Sequence, residues 1–279
     1  MIRVNILIPA HNEAAFLGDC LTALLASDAV PAAEIDVIVI ANACTDATAR
    51  IANGFWDHTT AKGWNLQVIE TEIPGKLNAL NLGERVRAGN VQIYLDADVI
   101  VSKPLIAELV DTLRTAAPRY AGGTPEIIAP KHPLIAPYAR FWAKLPFVSK
   151  GVPGFGIFAV NAAGRARWGQ FPAIISDDTF VRLQFSPEER LRVGASYSWP
   201  MVNGLGNLIR VRRRQDIGVE RQFVQQGCAP RPASNVKKTC ARCIRHFRYV
   251  FTGQPQTHIV LRQKHFFCSF KDVRLVFGD

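Results

Sequence analysis

Short apolar runs alternate with amphipathic stretches through the first hundred residues. Val4-Asn5-Ile6-Leu7-Ile8 reads as a strand, and Pro9-Ala10-His11-Asn12-Glu13 breaks it into a turn that opens a helix running to about Ala26. Residues 35–40 predict a second strand, 41–46 a polar loop, and 47–52 a helix with Thr45 or Asp46 as its N-cap. A third short strand covers 66–70, after which Pro74-Gly75 turns the chain into a helical segment over 76–88 that leads to the strand Val91-Gln92-Ile93-Tyr94-Leu95. Strands of this kind, separated by helices, predict an α/β domain with a mostly parallel sheet buried on both faces. Gly and Pro are frequent between Pro118 and Pro172, so the second half is expected to be less regular and rich in long loops.

The fourth strand ends in Asp96-Ala97-Asp98, two carboxylates one residue apart at the carboxyl end of a buried strand, where open α/β sheets place ligands. Carboxylates that close repel each other, and a fold must protonate one, hydrogen-bond both, or hold a cation between them. A divalent metal, Mn or Mg, resolves the repulsion and keeps open positions for phosphate oxygens. The plain alternative is a solvated strand-to-turn junction, since Asp is common in turns. No GxGxxG and no GxxxxGK[ST] is present, which leaves a dinucleotide site or a P-loop without support. A second acid pair, Ser176-Asp177-Asp178-Thr179, follows the island 154–160.

With 279 residues and 48% hydrophobic content the chain can bury a full core. No run approaches eighteen apolar residues and no leader-like segment opens the chain, so a cytosolic location is expected, with the six cysteines reduced. Cys240-Ala241-Arg242-Cys243 invites a zinc reading with Cys228, His246 or Cys268, but no second closely spaced ligand pair accompanies it. Residues 204–279 carry 15 Lys plus Arg against 4 Asp plus Glu, so the whole +10 excess lies there. Such a region suits an anionic membrane surface, a phosphate-bearing substrate, nucleic acid, or merely a solvated face.

These pieces, in this order, resemble the family 2 glycosyltransferases, whose fold is the nucleotide-sugar-binding GT-A. Pro9-Ala10-His11-Asn12-Glu13 looks like the family's Pro-x-x-Asn-Glu opening, and residues 42–48 are similar to its second-strand loop ending in Thr-Asp-x-Thr. Residues 75–81 look like its Gly-Lys-x-x-Ala-Leu-Asn segment, and Ser176-Asp177-Asp178 resembles the acidic pair that carries the general base of inverting members. The resemblance spans roughly residues 2 to 185. It implies an inverting transfer from a nucleotide-sugar donor to a carbohydrate or lipid-linked acceptor. Asp178 would be the base, with Asp177 beside it raising its proton affinity. Asp96 and Asp98 would hold the metal on the leaving diphosphate.

The same resemblance implies that Pro9, Ala10, Asn12, Glu13, Asn42, Lys76, Asn81, Asp96, Ala97 and Asp98 surround the donor, and Gly154, Phe155 and Gly156 the acceptor. Ala41-Asn42 departs from the acid pair of many members. UDP is the first expectation, with GDP and deoxythymidine diphosphate open. Arg212, Arg213 and Arg214, next to Arg210, are candidates to grip the diphosphate or form a basic helix face. No Gln-x-x-Arg-Trp follows, which favours addition of one or a few sugars over polymer synthesis. Phe141, Trp142, Phe147 and Phe155 suit an acceptor platform or the core, and His246, His258 and His265 are candidates for an extra metal ligand.

The expected organisation is a GT-A domain over 1–203, with a nucleotide half to residue 100 and an acceptor half beyond it, then a basic region over 204–279. Phe247, Tyr249, Phe251, Phe266 and Phe267 interleave with its charges, as at a peripheral membrane contact. Two rivals remain. A nucleotidyltransferase would use the same acids but normally shows a glycine-rich basic loop after the first strand. A non-catalytic polyanion or nucleic-acid binder would leave the first 185 residues unexplained, and no nucleic-acid partner is expected. Oligomeric state is not legible.

Overall fold

The computed structural model describes residues 1–225 apart from Arg87 and Leu134, with side chains through Ile217. The cysteines from Cys228 onward, His246, His258, His265 and the interleaved aromatics expected at a membrane lie outside the described residues. Met1–Gly204 is one compact unit, and a second begins at Leu205.

The first unit opens with three β–α repeats. Strand β1 (Ile2–Ala10) leads through a turn to helix α1 (Leu17–Leu25), and β2 (Ala33–Asn42) leads to the short helices α2 (Thr48–Asn53) and α3 (Trp56–Ala61). β3 (Asn65–Thr71) is followed by α4 (Lys76–Val86) and then β4 (Val91–Leu95). β1 pairs in parallel with both β2 and β4, and β2 with β3. Alternation along the strands explains why their central residues are apolar on both faces. Val4, Ile6 and Ile8 enter a core under α1, while Leu7, between them, enters the core on the opposite face with Ala79 and Leu80 of α4.

The second half is more ordered than its glycines and prolines suggest. After β5 (Ile100–Val101) and α5 (Leu105–Thr112) come β6 (Tyr120–Ile128), α6 (Ile135–Ala143), α7 (Pro146–Ser149), β7 (Ile157–Asn161), α8 (Ala162–Arg165), α9 (Asp177–Arg182) and β8 (Arg190–Pro200). The sheet has eight strands in the order β3-β2-β1-β4-β7-β6-β8-β5. Irregular segments remain at 150–156 and 166–176, and the β6 glycines mark close packing of that strand against Val152 and α5. A Cβ on Gly122 would lie 2.7 Å from Val152, and one on Gly123 2.7 Å from Leu105. β7 runs antiparallel to β4 and to β6, so the sheet is mixed, though mostly parallel. Helix α10 (Leu205–Gln225) belongs to the second unit. No helix among the described residues is long and apolar enough to cross a membrane.

One buried amide joins the pieces of the second half. Asn161, at the end of β7, donates through Nδ2 to the Thr115 and Ala117 carbonyls at 2.9 and 2.7 Å. Its Oδ1 accepts from the Arg119 and Gly164 amides at 3.1 and 2.9 Å. Asn161→Ala would leave four backbone groups to be satisfied elsewhere, and each orphaned polar group is costly. We expect the substitution to lower stability by roughly 3–5 kcal/mol, read as a shift in urea midpoint at unchanged slope.

Candidate active site

The turns after β1 and β2 are stitched into one wall. Asn12 Oδ1 accepts from the Thr45 amide at 2.8 Å and its hydroxyl at 3.3 Å. The Glu13 amide donates to Thr48 Oγ1 at 2.8 Å, the Ala14 amide to Asp46 Oδ2 at 3.1 Å, and His11 Nδ1 lies 2.6 Å from the Asn42 carbonyl. Asp46 also accepts from the Thr48 hydroxyl and amide, and these bonds hold its carboxyl below the usual range. Ala47 occupies the cap position of α2 and Asp46 accepts from one residue before it, a small correction to the expected N-cap. Two non-glycine residues of this wall, Asn12 (φ +56°) and Ala43 (φ +49°), sit in the left-handed region, a conformation that persists where surroundings enforce it.

The acidic centre lies beside this wall. Asp96 and Asp98 follow β4, and the Asp96 amide donates to the Gly156 carbonyl at 2.8 Å, so the antiparallel strand β7 brings residues 154–156 against the acids. The Lys76 ammonium, at the start of α4, lies 2.6 Å from Asp96 Oδ1 and 3.0 Å from Asp177 Oδ2. The partial loss of solvent around Lys76 opposes its charge, but the Asp177 and Asp96 carboxylates outweigh it and push the ammonium above the ordinary lysine range. The carboxylates respond to crowding in the other direction. Burial, then repulsion from Asp96, raises Asp98 to about 6. Burial, then Asp98, Asp96 and Asp46, raises Glu13 to about 7. Burial followed by Asp177 raises Asp178 to about 6. Asp96 is also raised, by burial first, with Lys76 resisting.

This donor set fits a hard divalent cation. Asp96 and Asp98 offer oxygen ligands in a centre where both carboxyls, raised by burial, would gain from added positive charge. Among the described residues no group of three or more His, Cys, Asp or Glu is arranged to hold a metal.

Other expected contacts resolve differently. Asn81 bonds the Phe171 backbone through both amide ends, at 2.8 and 3.1 Å, so it clamps the chain leading to Asp177. Asn42 is buried at the end of β2, and its side-chain oxygen has no hydrogen-bond partner among the described residues. Gly154 and Gly156 have φ of +81° and +80°, and a Cβ on Gly156 would meet Trp199 at 2.9 Å and Val99 at 3.0 Å. Phe155, half-buried, packs against both Trp142 and Trp199 at 4.9 and 4.8 Å between ring centroids, the two indoles themselves stack at 5.5 Å, and Trp142 also meets Phe147 at 5.6 Å. Arg212, Arg213 and Arg214 lie on α10 in the second unit, where Arg212 donates to Gln215 at 2.9 Å. Two features carry no sign in the sequence: the Lys76 bridge between the two acid pairs, and the approach of Glu13 to Asp98. The first depends on α4 and α9 meeting across the sheet end, which no local spacing reports.

Comparison with known proteins points one way. The model of the family described as Glycosyl transferase family 2 matches residues 5–167. Glycosyltransferase AglE of Haloferax volcanii is 31% identical over 128 residues, which are 46% of this chain and 40% of that protein. A Pyrobaculum calidifontis mannosyltransferase, PcManGT, solved with GDP-Man and Mn2+, superposes with a TM-score of 0.63 at 20% identity, covering 84% of this chain and 66% of its own. Glucosyl-3-phosphoglycerate synthase of Mycobacterium tuberculosis, solved with Mn2+ and UDP-Glc, has a TM-score of 0.51 at 17% identity, covering 84% of this chain and 81% of its own. This chain thus spans under two thirds of the first two, and the structural likenesses establish the fold as GT-A.

The pKa pattern has a consequence for stability. A carboxyl raised in the folded state contributes stability that is fully present below its unfolded value near 4 and is lost as pH rises through about 6. Asp178→Asn removes the charge and keeps an oxygen for the Thr179 amide, which Asp178 Oδ1 accepts at 2.7 Å. The variant should be more stable than wild type at pH 8 by roughly 2–3 kcal/mol, with the difference fading by pH 4. Thermal or denaturant unfolding across that range checks it.

Proposed function

Because this chain belongs to the family 2 glycosyltransferases, we propose that it transfers a sugar from a nucleotide-diphosphate donor to a hydroxyl of a carbohydrate or lipid-linked acceptor, with inversion and with Asp178 as general base. The observation that carries the reading is the meeting of two acid pairs around one lysine, because it puts diphosphate-binding and proton-accepting groups in a single centre. A base near neutrality suits this chemistry. An acceptor hydroxyl is a poor nucleophile at pH 7, and a carboxylate raised to about 6 stays mostly ionised while gaining proton affinity.

In this mechanism the acceptor O–H gives its proton to Asp178 as the oxygen bonds the anomeric carbon, and the bond from that carbon to the diphosphate oxygen breaks. Lys76 supplies positive charge to the departing diphosphate, and Asp96 and Asp98 would hold the divalent metal. The metal, when bound, neutralises the charge that develops on the leaving group. Asp177 holds Lys76 and, through like-charge repulsion, strengthens Asp178 as a base. UDP remains the favoured nucleotide on family resemblance. The basic region 204–279 is assigned to an anionic surface or substrate.

Hydrolysis of a panel of UDP-, GDP- and deoxythymidine-diphosphate sugars, with and without Mn2+, tests the reading. We expect metal-dependent release of one nucleotide, reduced at least about 100-fold in Asp98→Asn. No turnover, together with no metal-dependent nucleotide binding by calorimetry, would reject it. The base must be ionised, so the rate should decline as pH falls through about 6. In Asp177→Asn that acidic limb should move to lower pH, and an unmoved limb sinks the role given to Asp177.

A further inference from the structure

Tyr120 opens β6 and is fully buried, with its ring stacked on Phe158 at 5.7 Å and tilted against Phe185 at 5.6 Å between centroids. Its hydroxyl is buried too, and among the described residues it has no hydrogen-bond partner. Phenylalanine would fill the same space without stranding a polar atom, so the oxygen weakens the fold where it stands. The hydroxyl is pressed into one particular place. A Cβ on Gly154 would lie 1.9 Å from Tyr120 Oη and 3.6 Å from Asp178 Cβ. Gly154, at φ +81° and without a side chain, lets the loop close over the phenol beside the acid pair. After burial itself, Asp178 acts on the phenol more strongly than any other charge. Asp178 also has accepting capacity to spare, because the Thr179 amide uses one of about four lone-pair directions on a carboxylate.

We propose that Tyr120 is a positioning residue for Asp178, its buried hydroxyl donating a hydrogen bond to that carboxylate when the donor site is filled. The inference rests on Asp178 serving as base. Tyr120 is too deeply buried to meet an acceptor, so it acts through Asp178. It fixes the direction of the accepting lone pair and favours the ionised form against the burial that opposes it.

Tyr120→Phe deletes a single oxygen. On the donor that the full chain hydrolyses fastest with Mn2+, kcat should fall about ten-fold at unchanged donor KM, while thermal stability holds or rises. The substitution should cost nothing further in an Asp178→Asn background. An unchanged kcat overturns the inference, as does a loss in which KM and stability worsen together. If Asp178→Asn abolishes turnover and Tyr120→Phe does not alter it, only this inference falls; if Asp178→Asn is fully active, the base assignment falls and takes this with it. Should no donor be hydrolysed, denaturant unfolding of the wild type, both single variants and the double variant, at pH 8 with Mn2+ and UDP, reads the same pair. Non-additive effects support the bond and additive effects overturn it.

Discussion

The placement of one ammonium between two acid pairs is the constraint to which the rest of the site conforms. Glu13, Asp96, Asp98, Asp177 and Asp178 converge at one end of the sheet, and Lys76 is the cation that contacts two of them directly. Its side chain keeps 41% exposure, so it stands at the edge of the centre, where an incoming anion can also reach it. Without it, Asp96 would be held apart from Asp177 by their shared charge. With it, Asp96 and the Asp177-Asp178 pair become parts of one electrostatic unit. Charge arriving at one pair therefore alters the other, the coupling that the proposed transfer between two substrates would use.

The fold builds this unit from elements far apart in sequence. Parallel pairing of β1, β2 and β4 brings three loops to the same edge, and the hydrogen bonds between Asn12 and Thr45 and between Asp46 and Ala14 fix two of them to each other. The reversal at β7 then carries residues 154–156 beside Asp96, and the bond from the Asp96 amide to the Gly156 carbonyl locks that approach. A further set of bonds holds the chain before the second acid pair. Asn81 grips Phe171 by both amide ends, and Arg165 reaches Glu84 at 2.6 Å, where the Tyr94 hydroxyl also donates at 2.5 Å. Side chains of α4 and β4 thus position a loop from the other half of the unit.

The parallel half was legible because its strands are buried on both faces and its helices return at regular intervals, so Val4 to Ile8 and Val91 to Leu95 announce themselves as largely apolar runs. β6 and β8 were not, because their polar and glycine-containing sequences take strand geometry from pairing with each other, with a register shift between Gly122 and Thr124. The same division holds at the site. Asp96, Asp98, Asp177 and Asp178 stood out as acid pairs placed after apolar segments. The bonds from Asn81 to the Phe171 backbone did not, because an amide carries no local sign of which neighbouring loop it will grip.

Some of the strain and misfit lies where the chemistry is proposed, though Ala32 (φ +53°), just before β2, is a third left-handed residue away from it. Two left-handed non-glycine residues and a cluster of carboxyls raised by burial lie in the loops at one sheet end, and the Tyr120 phenol, without a hydrogen-bond partner among the described residues, sits against them. In the sheet, Ile6, Leu7 and Ile8 have no exposed surface, and the amide of Asn161 satisfies four backbone groups at once. A fold selected for stability alone would bury Phe in place of Tyr120 and neutralise Asp178. Retaining both makes physical sense if the ionised carboxylate and the hydroxyl beside it are used together, with the two apolar cores offsetting what they cost.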